Sequence, residues 1–528
     1  MFAWALWGRR VLLRPGSTCW RAATAPRAAL IIDMADYFLA AREAMLKARR
    51  TIHFLNWAFE PRTRLDPTPG PPEPDEEDIA TFLRNLSEAR PELEIRILCW
   101  QSALPVAATQ DFFPIKARRR FAGSRVRFVL DGRLPNGACH HQKMIIIDDA
   151  LAFCGGGDIG PERWDTQAHL DDDPRREKGR AALGTFDSRH EVMGVVDGQP
   201  AADLGDLFRG RWKRATGETL PPFEPSSDAS AFDDPWPERI TPHFDGVLAG
   251  ISRTSAAWRQ HPELREAERL HLACIAAAQR LIYMENQYFT SPLMAEALAA
   301  RLAQPDGPEV VLVSHEHSPS WFDHMTMDRT RSLFLKRLKA ADVYGRLRTY
   351  YPVTPLGRTI IVHAKLSIID DRLLRIGSAN LNNRSTGFDS ECDLSFEAAG
   401  PTAAASRQRI ANLTIRLLAH WLGCDDIRVG EAIARERQLG RAIDALRADG
   451  LVRLRPLEPT RLGPVSTFIA AFHLGDPVGP GDSFRPWRRG REMTIARAQA
   501  AEHLSRPPLC PDGAQPGAVT SKSITSGA

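Results

Sequence analysis

The stretch His363-Ala364-Lys365-Leu366-Ser367-Ile368-Ile369-Asp370 decides how this chain folds. After a gap of six residues come Gly377 and Ser378, with Asn380 just beyond. The same spacing occurs earlier: His141-Gln142-Lys143, the apolar run Met144-Ile145-Ile146-Ile147, Asp148, a gap of six, then Gly155-Gly156. Short Ile-rich runs bounded by Asp and Gly predict buried strands. Residues two apart in a strand share a face, so His141 sides with Lys143 and His363 with Lys365. Asp148 and Asp370 stand an odd number of residues from their His. In a regular strand they point to the opposite face, which makes them structural or orienting groups rather than reactants.

Two His and two Lys together suit a phosphodiester. One imidazole can attack phosphorus and the other can protonate the leaving alkoxide. The two ammonium groups can neutralise the phosphate oxygens. No metal and no cofactor is therefore expected in the reaction.

The elements around the two motifs repeat in the same order. In the first half, helices are predicted from Asp36 to Arg49 and Ile79 to Ala89, and strands at 51–57, 93–100 and 126–130. In the second, helices from Glu266 to Gln279 and Leu293 to Leu302 accompany strands at 280–284, 310–313 and 347–351. Phe208 and Trp212 close one half, Leu417 and Trp421 the other. Alternation of strand and helix predicts an α/β fold of two similar halves, each a mixed sheet flanked by helices. Because one phosphate needs both His–Lys pairs, the halves are expected to pack about a pseudo-twofold axis with the site at their junction. The expected segments are a basic arm at 1–27, a first half at 28–220, a Pro/Ser/Asp-rich linker at 221–240, a second half at 241–485 and a flexible tail at 486–528.

The two H-x-K-x4-D-x6-G-[GS] motifs resemble the paired signatures of the phospholipase D superfamily. Arg163-Trp164-Asp165-Thr166 and Glu285-Asn286-Gln287-Tyr288-Phe289 resemble the branch acting on phosphatidylcholine-like lipids, with a bacterial phospholipase D-like enzyme as the expected kind. The resemblance covers roughly residues 25–480. It implies that His141 is the nucleophile and His363 the acid, with a covalent phosphatidyl-histidine between them. It also implies an acidic partner for the catalytic His, at Glu391, and an amide on the phosphate at Asn380, beside Ser378. Arg189-His190-Glu191 resembles the counterpart of Asp389-Ser390-Glu391, which makes Glu191 the expected partner of His141. A strict register that matches Phe186-Asp187-Ser188 to Phe388-Asp389-Ser390 sets Arg189 there instead. Trp164 and Asp165 are candidates for a quaternary-ammonium headgroup site, or for a packed Trp with a capping Asp. Trp57, Tyr288, Trp321 and Phe322 either face acyl chains or pack.

Composition bounds these expectations. The chain has 528 residues, 43% hydrophobic and 25% charged, with a net charge of +4. That mild charge does not suggest an obligate nucleic-acid binder, and no nucleic-acid partner is expected. The eight Cys include no C-x-x-C pair, so neither a zinc knuckle nor a disulfide framework is predicted. No apolar run is long enough to span a membrane. Five Arg and no acid among residues 1–30 allow contact with an anionic membrane surface, or a solvated arm. The expected substrate is a phospholipid at such a surface, the location cytoplasmic or peripheral to a membrane, with secretion as the alternative. Nothing in the sequence requires more than a monomer. A cardiolipin or phosphatidylserine synthase would use the same residues with another acceptor. A nuclease fits the charge less well, and a non-catalytic lipid binder does not need intact His and Lys in both copies.

Overall fold

The computed structural model describes residues 11–67, 77–102, 114–176, 186–222 and 234–479. The expected tail at 486–528, most of the linker and the first ten residues of the expected arm lie outside them.

One large mixed sheet organises the chain. From one edge it runs Leu454–Pro456, Leu347–Pro352, Glu309–Val313, Leu281–Asn286, Lys365–Ile369, Leu373–Gly377, Glu391–Glu397 and Phe244–Ser255. It continues through Arg21–Ile32, Val192–Asp197, Leu151–Gly155, Met144–Ile147, Thr51–Asn56 and Glu94–Trp100 to Arg127–Asp131. Apart from the edge strand Leu454–Pro456, the order reads alike from both ends. Each half pairs its motif strand antiparallel to the strand after its first helix, with Ile52 opposite Ile147 and Ile282 opposite Ile369. The halves join where the two longest strands pair antiparallel, Ala25 opposite Val247.

The motif strands read as apolar runs because both faces are covered. Met144 and Ile146 enter one core and Ile145 and Ile147 another. The first core spans both halves and holds the helices Gln199–Thr216 and Ala403–Leu422, with Phe208, Trp212, Leu417 and Trp421 fully or nearly buried. The opposite face divides. Helices Met34–Lys47 and Ile79–Ala89 cover the first half, and Glu266–Ala277, Pro292–Leu302 and Trp321–Ala341 the second. Large-to-small changes among these buried Ile and Leu would each cost about 2–5 kcal/mol.

One expectation is corrected, and the structural role expected of Asp148 and Asp370 is met by a different geometry. Residues 21–27, assigned to the arm, belong to the central strand Arg21–Ile32, and Leu12 and Leu13 are buried with their N–H groups donated to Glu397. Ala-rich sequence has weak strand propensity, and pairing on both sides overrides it here. Asp148 and Asp370 do not continue their strands. Each leaves in the left-handed region, at φ 52°, a conformation short polar side chains tolerate. Their carboxylates accept the N–H groups of Arg49, Arg50 and Thr51, and of Gln279, Arg280 and Leu281. Each thus ties the end of its motif strand to the turn between helix and strand.

Candidate active site

Both motifs enter the molecule beside a segment from the other half. The first runs along Asp389–Ser390: Ser390 N–H donates to Cys139 O (3.0 Å) and His141 N–H to Ser390 O (2.8 Å). The second runs along Ser188–His190: Ile361 N–H donates to Ser188 O (2.8 Å) and His363 N–H to His190 O (2.9 Å). A two-stranded parallel ribbon, Arg189–His190 with Ile361–Val362, seals the second crossing.

The crossing exchanges the acidic partners. His141 Nδ1 lies 3.0 and 3.1 Å from the two carboxylate oxygens of Glu391, and His363 Nδ1 is hydrogen-bonded to Glu191. The expected pairing of Glu191 with His141 is therefore corrected. Glu191 follows a segment bound to the second motif, not the first. It also fixes the register. Glu191 and Glu391 correspond, each directly after the residue whose carbonyl receives the catalytic His N–H, and the Phe-Asp-Ser match is two residues out.

These contacts define the imidazole tautomers. His141 Nδ1 also lies 3.1 Å from the carbonyl of Ser378, which can only accept, so Nδ1 carries hydrogen. In a neutral ring Nε2 is then the free base. Burial, followed by the ammonium groups of Lys143 and Lys365, holds the His141 pKa well below the ordinary value. Burial, then Lys365, Arg163, Arg189 and Lys143, does the same to His363. Each ring feels the lysine of the other motif, so the two motifs lie close together. Burial pushes Glu391 up to about 7 against Lys143, and raises Glu191 against Lys365. Burial brings Lys365 down to about 7, opposed by Glu191 and reinforced by Lys143. Both Lys curl back onto their own motif: Lys143 Nζ donates to His141 O (2.7 Å), and Lys365 Nζ to His363 O.

The remaining candidates are placed as follows. Ser378 is fully buried and donates its hydroxyl to Glu391, so it positions that carboxylate instead of facing substrate. Its counterpart Gly156 leaves room for the other carboxylate. A Cβ there would stand 2.4 Å from Glu191 Oε1 and 3.1 Å from Lys365 Cδ. Asn380 is buried, and its Oδ1 has no hydrogen-bond partner. Its counterpart Asp158 accepts from the N–H groups of Trp57 (2.9 Å) and Ala58 (3.1 Å) and lies 3.6 Å from Lys143 Nζ.

The headgroup expectation for Trp164 and Asp165 is corrected. Trp164 packs in the core of the first half under the Arg175 guanidinium. Asp165 is fully buried, its oxygens committed to the N–H groups of Thr166 and Arg189 and to His169. A carboxylate already satisfied in the core does not reach a ligand. Sequence reading missed Arg163 and Arg189 as cations acting on His363, and Gln287, whose Oε1 lies 3.2 Å from Lys365 Nζ. Their place beside the named motifs was the available signal. Tyr288 donates to Asp323, and the neighbouring Trp321 and Phe322 are 77% and 53% exposed.

Known proteins resemble parts of this chain. A family model described as cardiolipin synthase, PLD-like domain, matches residues 272–413, which contain the second motif. Phospholipase D1 of Saccharomyces cerevisiae is 24% identical over 67% of this chain and 26% of its own length. Cardiolipin synthase A of Pseudomonas entomophila is 29% identical over 48% of this chain and 43% of its own. The chain spans about a quarter to a half of the length of the curated relatives it matches. Among solved structures, phosphatidylserine synthase of Haemophilus influenzae aligns over 82% of this chain and 96% of that one, with TM-score 0.50 and 12% identity, and shows the fold. Two His–Lys motifs in one sheet, a PLD-like domain model over part of the chain and sequence likeness to phospholipases D and cardiolipin synthases support the phospholipase D superfamily.

Proposed function

We propose that the chain is a phospholipase D-type enzyme that cleaves the headgroup ester of a glycerophospholipid, phosphatidylcholine-like, and releases phosphatidic acid. The observation that carries this reading is the crossed arrangement, in which each catalytic imidazole is held by a carboxylate of the other half and senses both lysines.

His141 Nε2 attacks phosphorus in line, the headgroup oxygen leaves with a proton from His363, and a phosphatidyl-histidine forms. Water, activated by the now neutral His363, attacks the phosphorus, and His141 is the leaving group. His141 is favoured as nucleophile because its side chain is 16% exposed against 7% for His363. Glu391 and Glu191 orient the rings and stabilise the imidazolium that each must form in turn. Lys143 and Lys365 release their carbonyls and turn to the phosphate oxygens, and Asn380 offers its amide N–H. Exposed Trp321 and Phe322 suit the interfacial zone of a membrane, where aromatic rings settle. Among the described residues no helix is long and apolar enough to cross one.

A second reading is phosphatidyl transfer to an alcohol, favoured by the cardiolipin synthases among the relatives. Purified protein without added metal should be given phosphatidylcholine vesicles, phosphatidylglycerol vesicles and single-stranded DNA. Choline with phosphatidic acid supports hydrolysis. Cardiolipin from phosphatidylglycerol supports transfer, and cleavage of DNA alone refutes both.

A further inference from the structure

A second cluster lies beside the His363–Glu191 pair. Asp33, His169 and His190 belong to the first half, and His420 comes from the helix Ala403–Leu422 of the second. Their side chains are no more than 3% exposed, and one donor atom from each lies within 4.8 Å of the others. His169 Nε2 stands 3.3 Å from His420 Nε2 and 3.4 Å from Asp33 Oδ2. His420 Nε2 is 3.7 Å from the same oxygen, and His190 Nδ1 is 2.9 Å from Asp33 Oδ1.

The outer contacts fix which atoms face inward. His169 Nδ1 lies 2.9 Å from Asp165 Oδ2, and His190 Nε2 lies 2.8 Å from Glu285 Oε2. Carboxylates only accept, so those nitrogens carry hydrogen. In a neutral ring, His169 Nε2 then presents its lone pair to the Asp33 carboxylate, and His190 Nδ1 faces the other oxygen of the same carboxylate. Asp33 Oδ2 is buried and makes no hydrogen bond. A buried carboxylate oxygen left without a donor is unfavourable unless a cation lies beside it. A tetrahedral ion with bonds of about 2.0–2.1 Å sets its donor atoms about 3.3–3.4 Å apart, close to the spacing of His169, His420 and Asp33. Imidazoles that donate their outer N–H to a carboxylate are the usual support of metal-bound His.

We propose that Asp33, His169, His190 and His420 bind one divalent transition-metal ion, with zinc the best fit to three imidazoles and a carboxylate. Four protein ligands leave no open position, so the site is structural. It ties the two halves together and supports the segment that carries Glu191. Asp33 N–H donates to Glu191 O (2.8 Å), Asp33 Oδ1 accepts from Glu191 N–H (3.1 Å), and His190 O receives the His363 N–H. Asp165 acquires a role here as the group that orients His169.

The test is metal content. Full-length protein is incubated with ZnCl2, desalted and assayed by elemental mass spectrometry, alongside His420→Gln and Asp33→Asn. The expected results are about one zinc per chain in the wild type and less than about one-tenth of that in either variant, with a lowered melting temperature. Should the variants not fold, CoCl2 added to chelator-treated wild-type protein serves instead, and visible bands of tetrahedral intensity are expected. Wild-type protein that retains no zinc and gives no such bands overturns the proposal, as do folded variants that hold zinc like the wild type.

Discussion

The two halves supply the same reactive groups but surround them differently. In the second, Ser378 braces Glu391 from below, whereas in the first Gly156 leaves a gap into which Glu191 and the Lys365 stem fit. In the first, Asp158 holds the chain after Asn56 and lies near Lys143, whereas Asn380 keeps an unpartnered amide oxygen. Only the first half carries the insertion with Asp165 and His169, packed against His190 and Glu191. The difference teaches that a duplicated frame can divide its labour. One half offers a neutral amide and a braced carboxylate, and the other a carboxylate-bound lysine and a buttressed ribbon. Because the acids cross over, each half's asymmetry acts on the other half's histidine.

The largest effect expected is the loss of either imidazole. His141→Ala and His363→Ala should each lower kcat/KM by about a thousandfold or more, measured by choline release. Equal full activity in either would end the comparison. Removing charge from an acid should cost less. Glu391→Gln and Glu191→Gln are expected to lower kcat by about a hundredfold through misoriented rings. The crossing is sharpened by the pH profiles, since Glu391→Gln should remove the acid limb set by Glu391 and leave the alkaline limb set by Lys365.

Smaller effects separate the halves. Gly156→Ser should press on Glu191 and Lys365, costing about 1–3 kcal/mol in thermal or denaturant unfolding, with a fall in activity. Ser378→Ala removes the donor to Glu391 and the acceptor of the Cys392 N–H, and about tenfold in kcat is expected, with a lowered melting temperature. The pH dependence follows from two groups. Glu391, held up to about 7, becomes a carboxylate as pH rises through that value, so activity falls on the acid side. Lys365, brought down to about 7, loses its charge as pH rises through that same region, so kcat/KM falls on the alkaline side. Lys365→Arg keeps its charge, and the alkaline limb should move upward even as the maximum drops.

The sequence carried the repeat because strands covered on both faces leave unbroken Ile runs, and because His and Lys two apart are rare in such a setting. The motif strands, most flanking helices and the closing Trp212 and Trp421 were legible for that reason. The central strand Arg21–Ile32 was not, since its Ala residues pair by tertiary context alone. The partner of each His was not legible either. It depends on main-chain pairing between residues about 170–250 apart, as in His363 with Glu191 and His141 with Glu391, which no local pattern encodes. Asp165 misled because an acid after Trp looks the same whether it faces a cation or satisfies backbone N–H groups.

The central claim is that one imidazole from each half meets a single phosphorus atom. A crystal structure with orthovanadate tests it directly. The account predicts vanadium bonded to His141 Nε2, with His363 Nε2 hydrogen-bonded to the oxygen at the opposite apex and Lys143 and Lys365 on the equatorial oxygens. Vanadate bound to one motif alone, with the other imidazole turned away from it, would contradict the account.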